Sequence, residues 1–494
     1  METPKKIHFT GIGGSGMSAL SQIAAMEGRA VTGSDRDFDN GKNLAFKTAL
    51  EKLGVKVFRQ DGSGIDADTE EVAVSTAIEE SNPEIAKARA VSAKLIHRSE
   101  LLASYVDKFR TVAVGGTSGK STVVGMIFTI LEEAGFGPGV ITGGPLVTLQ
   151  ERGFMGNAWL GKGRPPFLGI EPRMDTAVAV SPTSVARGQG HIMVIEADES
   201  DGTIAKYKPA IGLILNISKD HKEVPVLKDV FRQFAGNVKK LYINADDPEL
   251  ADFKAGAELF GRSGFGFKIE DLKLELFRST FKLNGAEFDL PAPGRYNIEN
   301  ALASVRVALD LGVKLELCAE ALKKYRGIHR RFELAGEAGG VTVVDDYAHN
   351  PAKIASVFGV VRASGRRVIA IYQPHGYTPT RLLRRELADA FTAGLSDKDV
   401  LIMPDIYYAG GTVARDISSE DLVKDISARG RTALYIKQRR DIIPKALELA
   451  VPGDIFLVMG ARDWTLSDFA KELFGAIKSK LAGAGEQDNI LRGN

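Results

Sequence analysis

Residues 112–122 read Val-Ala-Val-Gly-Gly-Thr-Ser-Gly-Lys-Ser-Thr, an apolar run that passes through a glycine-rich loop into Lys120, Ser121 and Thr122. The apolar run suits a buried strand, and Val123, Val124, Met126, Ile127, Ile130 and Leu131 follow at helical spacing. Strand, loop and helix in that order form an anion cradle. Loop N–H groups and the positive end of the helix face a phosphate, Lys120 adds a point charge, and the Ser121 hydroxyl can hold Mg2+. The usual spacing has a further glycine five residues before Gly119, where this chain has Val114. The core is therefore the shorter run Gly116, Thr117, Ser118, Gly119, Lys120, Ser121, Thr122. Its strand and helix context favours nucleoside triphosphate binding over a helix start with incidental glycines.

A chain of 494 residues is too long for one hydrophobic core, and three domains of ordinary size are expected. Hydrophobic residues at 44% and charged residues at 26% are the proportions of a globular protein in water. A net charge of +1 argues against nucleic acid or an anionic membrane as the main partner. The single cysteine, Cys318, makes an intrachain disulfide impossible and thiolate metal clusters implausible, which fits a reducing cytoplasm. No stretch approaches the roughly 20 apolar residues of a membrane span, and a strand beginning near Ile7 comes too soon for a signal peptide. A cytoplasmic protein without membrane insertion, a monomer or weak homodimer, is expected.

The fold class expected is α/β in three parts. The first, 1–110, is a Rossmann-like domain. Its opening strand runs into Gly11-Ile12-Gly13-Gly14-Ser15-Gly16 and a helix to Met26, and a second strand from Ala30 ends at Ser34-Asp35. That places an acid about 20 residues beyond the glycines, where it could reach a ribose hydroxyl. The glycines suggest a nucleotide diphosphate site without distinguishing NAD from a UDP-sugar. The second part, 111–332, is a P-loop ATPase-type domain with a parallel or mixed sheet. Two of its strands end at acids or a histidine: 191–197 runs into Asp198-Glu199-Ser200-Asp201, and 211–217 into Ser218-Lys219-Asp220-His221. Carboxyl ends of strands are where doubly wound sheets build their sites. Glu196 is a candidate Mg2+ ligand, whereas His221 is unusual by ligand chemistry alone, since Mg2+ prefers hard oxygen. Residues 137–190, rich in glycine and proline, read as an irregular excursion. The third part, 333–494, alternates strand (341–345, 367–373, 399–404, 431–436, 454–459) with helix. It is a second Rossmann-like unit with no phosphate loop, and its tail from Ala482 reads as frayed.

Taken together, these motifs resemble the Mur ligase family, the ATP-dependent amide ligases that build the peptide of bacterial cell-wall precursors. The resemblance spans nearly the whole chain. It rests on Gly11 to Ser18, Gly33-Ser34-Asp35, Ser75-Thr76-Ala77-Ile78 with Asn82-Pro83-Glu84, Gly116 to Thr122, and Glu196 to Asp201. It continues through Asn216-Ile217 with Asp220-His221, Asn297 with Asn300-Ala301, Arg330-Arg331-Phe332, Asp346 to Pro351 and Gln373-Pro374-His375. It implies that an amino acid or peptide is joined to the carboxylate of UDP-N-acetylmuramate in peptidoglycan precursor synthesis, with a ligase of the same type acting on a recycled peptide or another acid or amine as the alternative. A carboxylate on the UDP-sugar attacks the γ-phosphate of ATP, giving an acyl phosphate and ADP. An amino group then attacks the acyl phosphate, and phosphate leaves from a tetrahedral intermediate. Catalysis of such steps is chiefly positioning and charge neutralisation.

By the same resemblance, Lys120 and the loop N–H groups hold the β- and γ-phosphates. Ser121 and Glu196 carry one Mg2+, and His221 serves a second. Asn300 reads the adenine edge and Tyr296 lies against its face, while Arg331 and Asp346 approach the phosphates and ribose as the third domain closes. Gly11, Gly13, Gly14, Ser15, Gly16, Asp35, Ser75, Thr76 and Ala77 hold the UDP moiety. His349, His375 and Arg381 fall to the amino acceptor.

Departures from the family pattern sharpen the expectations. Ser118 and Ser121 replace a histidine and a threonine while retaining the loop's geometry. Tyr296 replaces a histidine but is still a flat ring able to stack. Residues 59–64 lack the Gly-His element that helps frame uracil. After Gln373-Pro374-His375, Gly376 and Pro379 stand where relatives that take a small amino acid have arginines, and only Arg381 remains nearby. A short acceptor carboxylate would lose cationic partners worth about 1.5–3 kcal/mol each. A weak response to L-alanine and a stronger one to a peptide or larger amine follow as the expectation.

Other classes explain less. A dehydrogenase would use Gly11 to Gly16 but leave the phosphate loop and the third domain idle. A non-catalytic nucleotide-binding regulator would be expected to have lost a phosphate or metal residue, and Lys120, Ser121, Glu196 and His221 are all present.

Overall fold

The computed structural model describes residues 5–161, 191–200, 202–218, 223–408 and 413–492, with side chains to 481. They form two compact units: Met1–Lys273 with Ser279–Ile328, and Leu274–Arg278 with His329–Asn494.

The first unit contains two nucleotide-type sheets. Strands β1 (Lys6–Thr10), β2 (Ala30–Ser34), β3 (Lys56–Phe58), β4 (Thr69–Val74) and β5 (Lys94–His97) form a sheet in the order β3-β2-β1-β4-β5. Every pairing in it is parallel. The order reverses between β1 and its two neighbours, so the crevice beyond the end of β1 is where a doubly wound sheet takes its ligand. Gly11 to Gly16 occupy that position.

The second sheet comprises β6 (Arg110–Gly115), β7 (Gly139–Ile141), β8 (Ala158–Trp159), β9 (Ile192–Glu196), β10 (Ile211–Ile214), β11 (Lys240–Asn244) and β12 (Glu258–Phe260). Its order is β12-β11-β10-β6-β9-β7-β8. β6 lies at the centre between β10 and β9, pairing Gly115 with Ile214 and Val114 with Glu196. A parallel strand covered on both faces must be apolar throughout, and Thr111 to Gly115 are all buried. This register sets Glu196 beside the start of the glycine loop.

Three strands, β13 (Ile269–Leu274), β14 (Ser279–Leu283) and β15 (Ala286–Leu290), form a small separate sheet. β14 and β15 are an antiparallel hairpin turning on Asn284 and Gly285, both at positive φ (48° and 88°), the backbone a tight two-residue hairpin demands.

In the second unit β16 (Glu333–Ala338), β17 (Val341–Asp346), β18 (Val368–Tyr372), β19 (Val400–Met403), β20 (Ala433–Tyr435) and β21 (Ile455–Met459) form a sheet ordered β16-β17-β21-β18-β19-β20. β16 alone is antiparallel to its neighbour. Val343, Ile369, Ile371, Ile402, Phe456 and Val458 carry the core under the helix that starts at Thr465.

Sequence and structure part in three places. The stretch read as irregular holds β7, the helix Val147–Glu151 and β8 within its described part, while 162–190 lie outside the described residues. The antiparallel hairpin and β16 add pairings that the alternation of strand and helix does not require. The tail, expected to fray from Ala482, has helical backbone to Arg492. Leu481, Ala482, Ala484, Glu486, Gln487 and Leu491 favour helix, and Gly483 and Gly485 cost only about 1 kcal/mol each. Among the described residues no helix is long and apolar enough to cross a membrane.

Candidate functional site

The turn from β6 into the helix Lys120–Glu133 uses glycine where only glycine fits. Gly116 has φ 134° and Gly119 φ 86°, and a Cβ on Gly119 would lie 2.6 Å from Asn300 Oδ1. Asn216, just past β10, clamps the loop from below. Its Oδ1 accepts from the Ser118 N–H (2.9 Å) and the Thr117 hydroxyl (2.9 Å), and its Nδ2 donates to the Ser118 carbonyl (3.0 Å). The loop conformation is thus fixed by the Asn216 side chain.

Glu196, at the end of β9, converges with that loop. One carboxylate oxygen, Oε2, accepts from Ser121 Oγ (2.8 Å), Thr142 Oγ1 (2.9 Å) and the Gly143 N–H (2.8 Å). Lys120 Nζ donates to the Gly116 carbonyl (2.7 Å) and to Glu199 Oε2 (2.8 Å). Burial by itself would lower the Lys120 pKa, but Glu199, Glu196 and Asp198 outweigh it and hold the ammonium above the ordinary lysine value. Burial also pushes the Glu199 carboxyl up, against the pull of Lys120. The lysine is therefore firmly cationic, and the acid that faces it is the one whose charge is costly. An arriving phosphate can take over the ammonium.

Asn300 and Asn297 sit one turn apart on the helix Arg295–Asp310, with Asn300 Nδ2 donating to Asn297 Oδ1 (3.1 Å) and Asn297 Nδ2 to the Pro293 carbonyl (2.7 Å). Asn300 consequently presents Oδ1 over the loop at Gly119. Tyr296, on the first turn of the same helix, is half-buried.

In the first sheet, Gly11 N–H and Ile12 N–H donate to the Ser34 carbonyl (2.8 and 2.9 Å), which draws the glycine loop onto the end of β2. Asp35, expected to reach a ribose, uses its two oxygens on the Gly13 N–H (2.9 Å) and the Asp37 N–H (2.9 Å). Burial raises its pKa against those two bonds. Ser75 is half-buried and Thr76 and Ala77 are exposed beyond β4, with Ile78 against Gly11. Arg98 lies against Gly16, where a Cβ would meet its Nη1 at 2.7 Å; burial would raise the Asp198 pKa, but Lys120, the Ser200 bonds and then Arg98 hold it below the ordinary value.

The second unit gathers another set at the carboxyl ends of β17, β18 and β21. Asp346 accepts from the Phe332 N–H and the Ala348 N–H, both at 2.7 Å. Burial raises its pKa to about 6 although Arg331 opposes the rise. Arg331 stands over the Tyr347 ring (5.1 Å), Tyr347 meets the His349 ring edge-on (5.5 Å), and His349 meets His375 (5.1 Å). Arg381 is not with them: it pairs with Asp416 (3.2 Å) and lines a cleft with Arg384, Arg385, Asp425 and Arg429.

His349 is held neutral. Burial, then the charges of Lys353, His375 and Arg331, push its pKa well below 6.5, while its bond to the Tyr347 carbonyl (2.9 Å) pulls the other way. A histidine depressed in the folded state contributes stability that is full above pH 6.5 and is lost as pH falls toward the folded value. Wild-type protein should therefore lose more stability than His349→Gln between about pH 6.5 and 5, read from urea unfolding midpoints. Parallel pH curves for the two proteins would refute this.

His221, with Lys219 and Asp220, lies outside the described residues. Glu199, Thr142, Gly143 and Asn216 had no assigned role in the sequence. An acidic run usually marks a solvated loop, and Thr142-Gly143 belongs to the stretch read as irregular. The Asn-Ile after an apolar strand was the available signal for Asn216.

Comparison with known proteins gives a consistent result. Residues 6–110 match the Mur ligase family catalytic domain, 114–308 the Mur ligase middle domain, and 330–462 the Mur ligase glutamate ligase domain. UDP-N-acetylmuramate--L-alanine ligase of Pelotomaculum thermopropionicum is 33% identical over 489 residues, covering 94% of this chain and 96% of its own length. Two solved structures share the fold. UDP-N-acetylmuramate-alanine ligase MurC from Thermotoga maritima aligns with a TM-score of 0.74 at 24% identity, over 96% of this chain and 99% of that one. A murein peptide ligase from Psychrobacter arcticus aligns at 0.64 and 23% identity, again over 96% and 99%.

Proposed function

Because the chain belongs to the Mur ligase family, we propose that it is an ATP-dependent amide ligase joining an amino acid to the carboxylate of UDP-N-acetylmuramate in peptidoglycan precursor synthesis. The observation that carries the reading is the meeting of Lys120, Ser121 and Glu196 at one open, glycine-lined loop. Ser121 Oγ, Thr142 Oγ1 and Glu196 are hard oxygen donors, the kind Mg2+ selects. Among the described residues no cluster of three or more His, Cys, Asp or Glu could hold a metal, so phosphate oxygens and water would complete the shell. Bound there, Mg2+ would neutralise charge on the β- and γ-phosphates.

The chain's own groups account for the rest. The loop N–H groups and Lys120 orient the γ-phosphate for attack by the carboxylate oxygen; the bond to the β-phosphate oxygen breaks and ADP leaves. Gly11 to Gly16 and Asp35 fix the other end of the acid through its UDP moiety. The amine then attacks the acyl carbon, the bond to phosphate breaks, and the amine proton passes to solvent. In the second unit, His349 and His375 line the acceptor side.

The test is ADP release measured over a matrix of UDP-sugar acids and amino acids or peptides. ADP release that needs both UDP-N-acetylmuramate and an amino acid is expected. Release with neither, or only with an unrelated acid, would overturn the reading.

A further inference from the structure

The turn after β21 carries a residue that its backbone does not favour. Arg462 has φ 64°, a left-handed conformation that glycine adopts freely and a long side chain does not. The turn is locked around it. Gly460 N–H donates to the Asp346 carbonyl (3.3 Å), the carbonyls of Gly460 and Asp463 accept from the buried Arg330 guanidinium (2.8 and 3.0 Å), and Asp463 Oδ1 accepts from the Thr465 N–H (3.0 Å). Ala461 and Asp463 on either side are buried, whereas the Arg462 side chain is exposed.

Its place is more telling than its strain. The Arg462 N–H donates to Tyr347 Oη (3.2 Å), the ring that bears Arg331 and borders His349 and then His375. The guanidinium enters no hydrogen bond or ion pair among the described residues, whereas Arg381 is already paired with Asp416.

We propose that Arg462 binds the carboxylate of the amino acceptor. The inference rests on the ligase reading above. A guanidinium offers a planar fork that matches a carboxylate with two parallel bonds, and a strained backbone would be kept where the side chain is used.

Arg462→Gly separates use from structure, because glycine relieves the left-handed strain while removing the charge. With the full-length protein and the amino acid that gives the greatest ADP release, we expect the acceptor KM to rise about tenfold or more, the loss of one charged hydrogen-bonded partner. KM for ATP and for the UDP-sugar should stay within twofold, and Tm should hold or rise. Wild type should prefer the amino acid over its carboxamide, and the variant should lose most of that preference. Arg462→Lys should recover part of it. An unchanged acceptor KM, a preserved preference for the free carboxylate, or a fall in Tm with all three KM values raised would overturn the proposal. Wild-type protein that releases no ADP with any acid and amine would instead overturn the ligase reading, and this inference with it.

Discussion

Lys120→Ala abolishes ligation, with a loss of at least about 3 kcal/mol of transition-state stabilisation expected. In the proposed reaction charge develops on the γ-phosphate oxygens as the carboxylate attacks, and Lys120 is the cation that the loop would supply there. The ammonium is held charged by Glu199, Glu196 and Asp198 and is aimed by the Gly116 carbonyl at 2.7 Å. The substitution has a second consequence, since it leaves Glu199, whose side chain is only 5% exposed, without its ion-pair partner. Breaking a buried pair from one side costs about 3–5 kcal/mol, part of which protonation of the acid can recover. A dead variant could then be read as a misfolded one. The double variant Lys120→Ala/Glu199→Gln removes the orphaned charge, so its unfolding midpoint should return toward wild type while ADP release stays absent. Near-normal turnover in either variant would show that this loop is not the phosphate site.

The contrast between Lys120 and Glu199 shows where the sequence was legible. A phosphate loop is a local device: glycines at two positive-φ positions, a strand before and a helix after, all within 25 residues. Spacing alone exposes it. Glu196 was legible because a strand end in a parallel sheet points at the site, and the pairing of Val114 with Glu196 brings it there. Glu199 was not, because its ion-pair partner Lys120 stands 79 residues away. The same holds for Thr142 and Gly143, whose value lies in meeting a carboxylate more than 50 positions on. The hairpin at Asn284-Gly285 was readable in principle, with alternating Phe281, Leu283, Phe288 and Leu290 inward. It was passed over because a strand–helix alternation dominates both sides of it. Arg381 was placed by proximity in sequence to Gln373-Pro374-His375, and the helix Tyr377–Leu382 carries its side chain to Asp416 instead.

Arg330 carries the largest expected effect on stability. It is 1% exposed and has φ 58°, and Phe332 two residues on has φ 49°, so Arg331 is presented between two left-handed residues. The Arg330 guanidinium holds that arrangement by donating to Asp345 Oδ1 (3.2 Å) and to the carbonyls of Gly460 (2.8 Å) and Asp463 (3.0 Å), with its plane near the Tyr347 ring (5.3 Å). Arg330→Ala takes the cation from the buried Asp345 carboxylate, which keeps only Ser467 Oγ, leaves the Gly460 carbonyl without its donor and the Asp463 carbonyl with the Leu466 N–H alone, and a loss of about 3–5 kcal/mol follows. Lysine keeps the charge but cannot reach three acceptors in one plane, so Arg330→Lys should be nearly as costly. Arg330→Gly loses the same bonds yet relieves the left-handed backbone, and should be more stable than the alanine variant by about 1 kcal/mol. Urea unfolding of the three variants separates the two contributions: their common loss reads the guanidinium, and the gap between alanine and glycine reads the strain. A glycine variant as stable as wild type would mean that the buried arginine contributes nothing to the turn that presents Arg331. An alanine variant equal to glycine would mean that no strain is stored there.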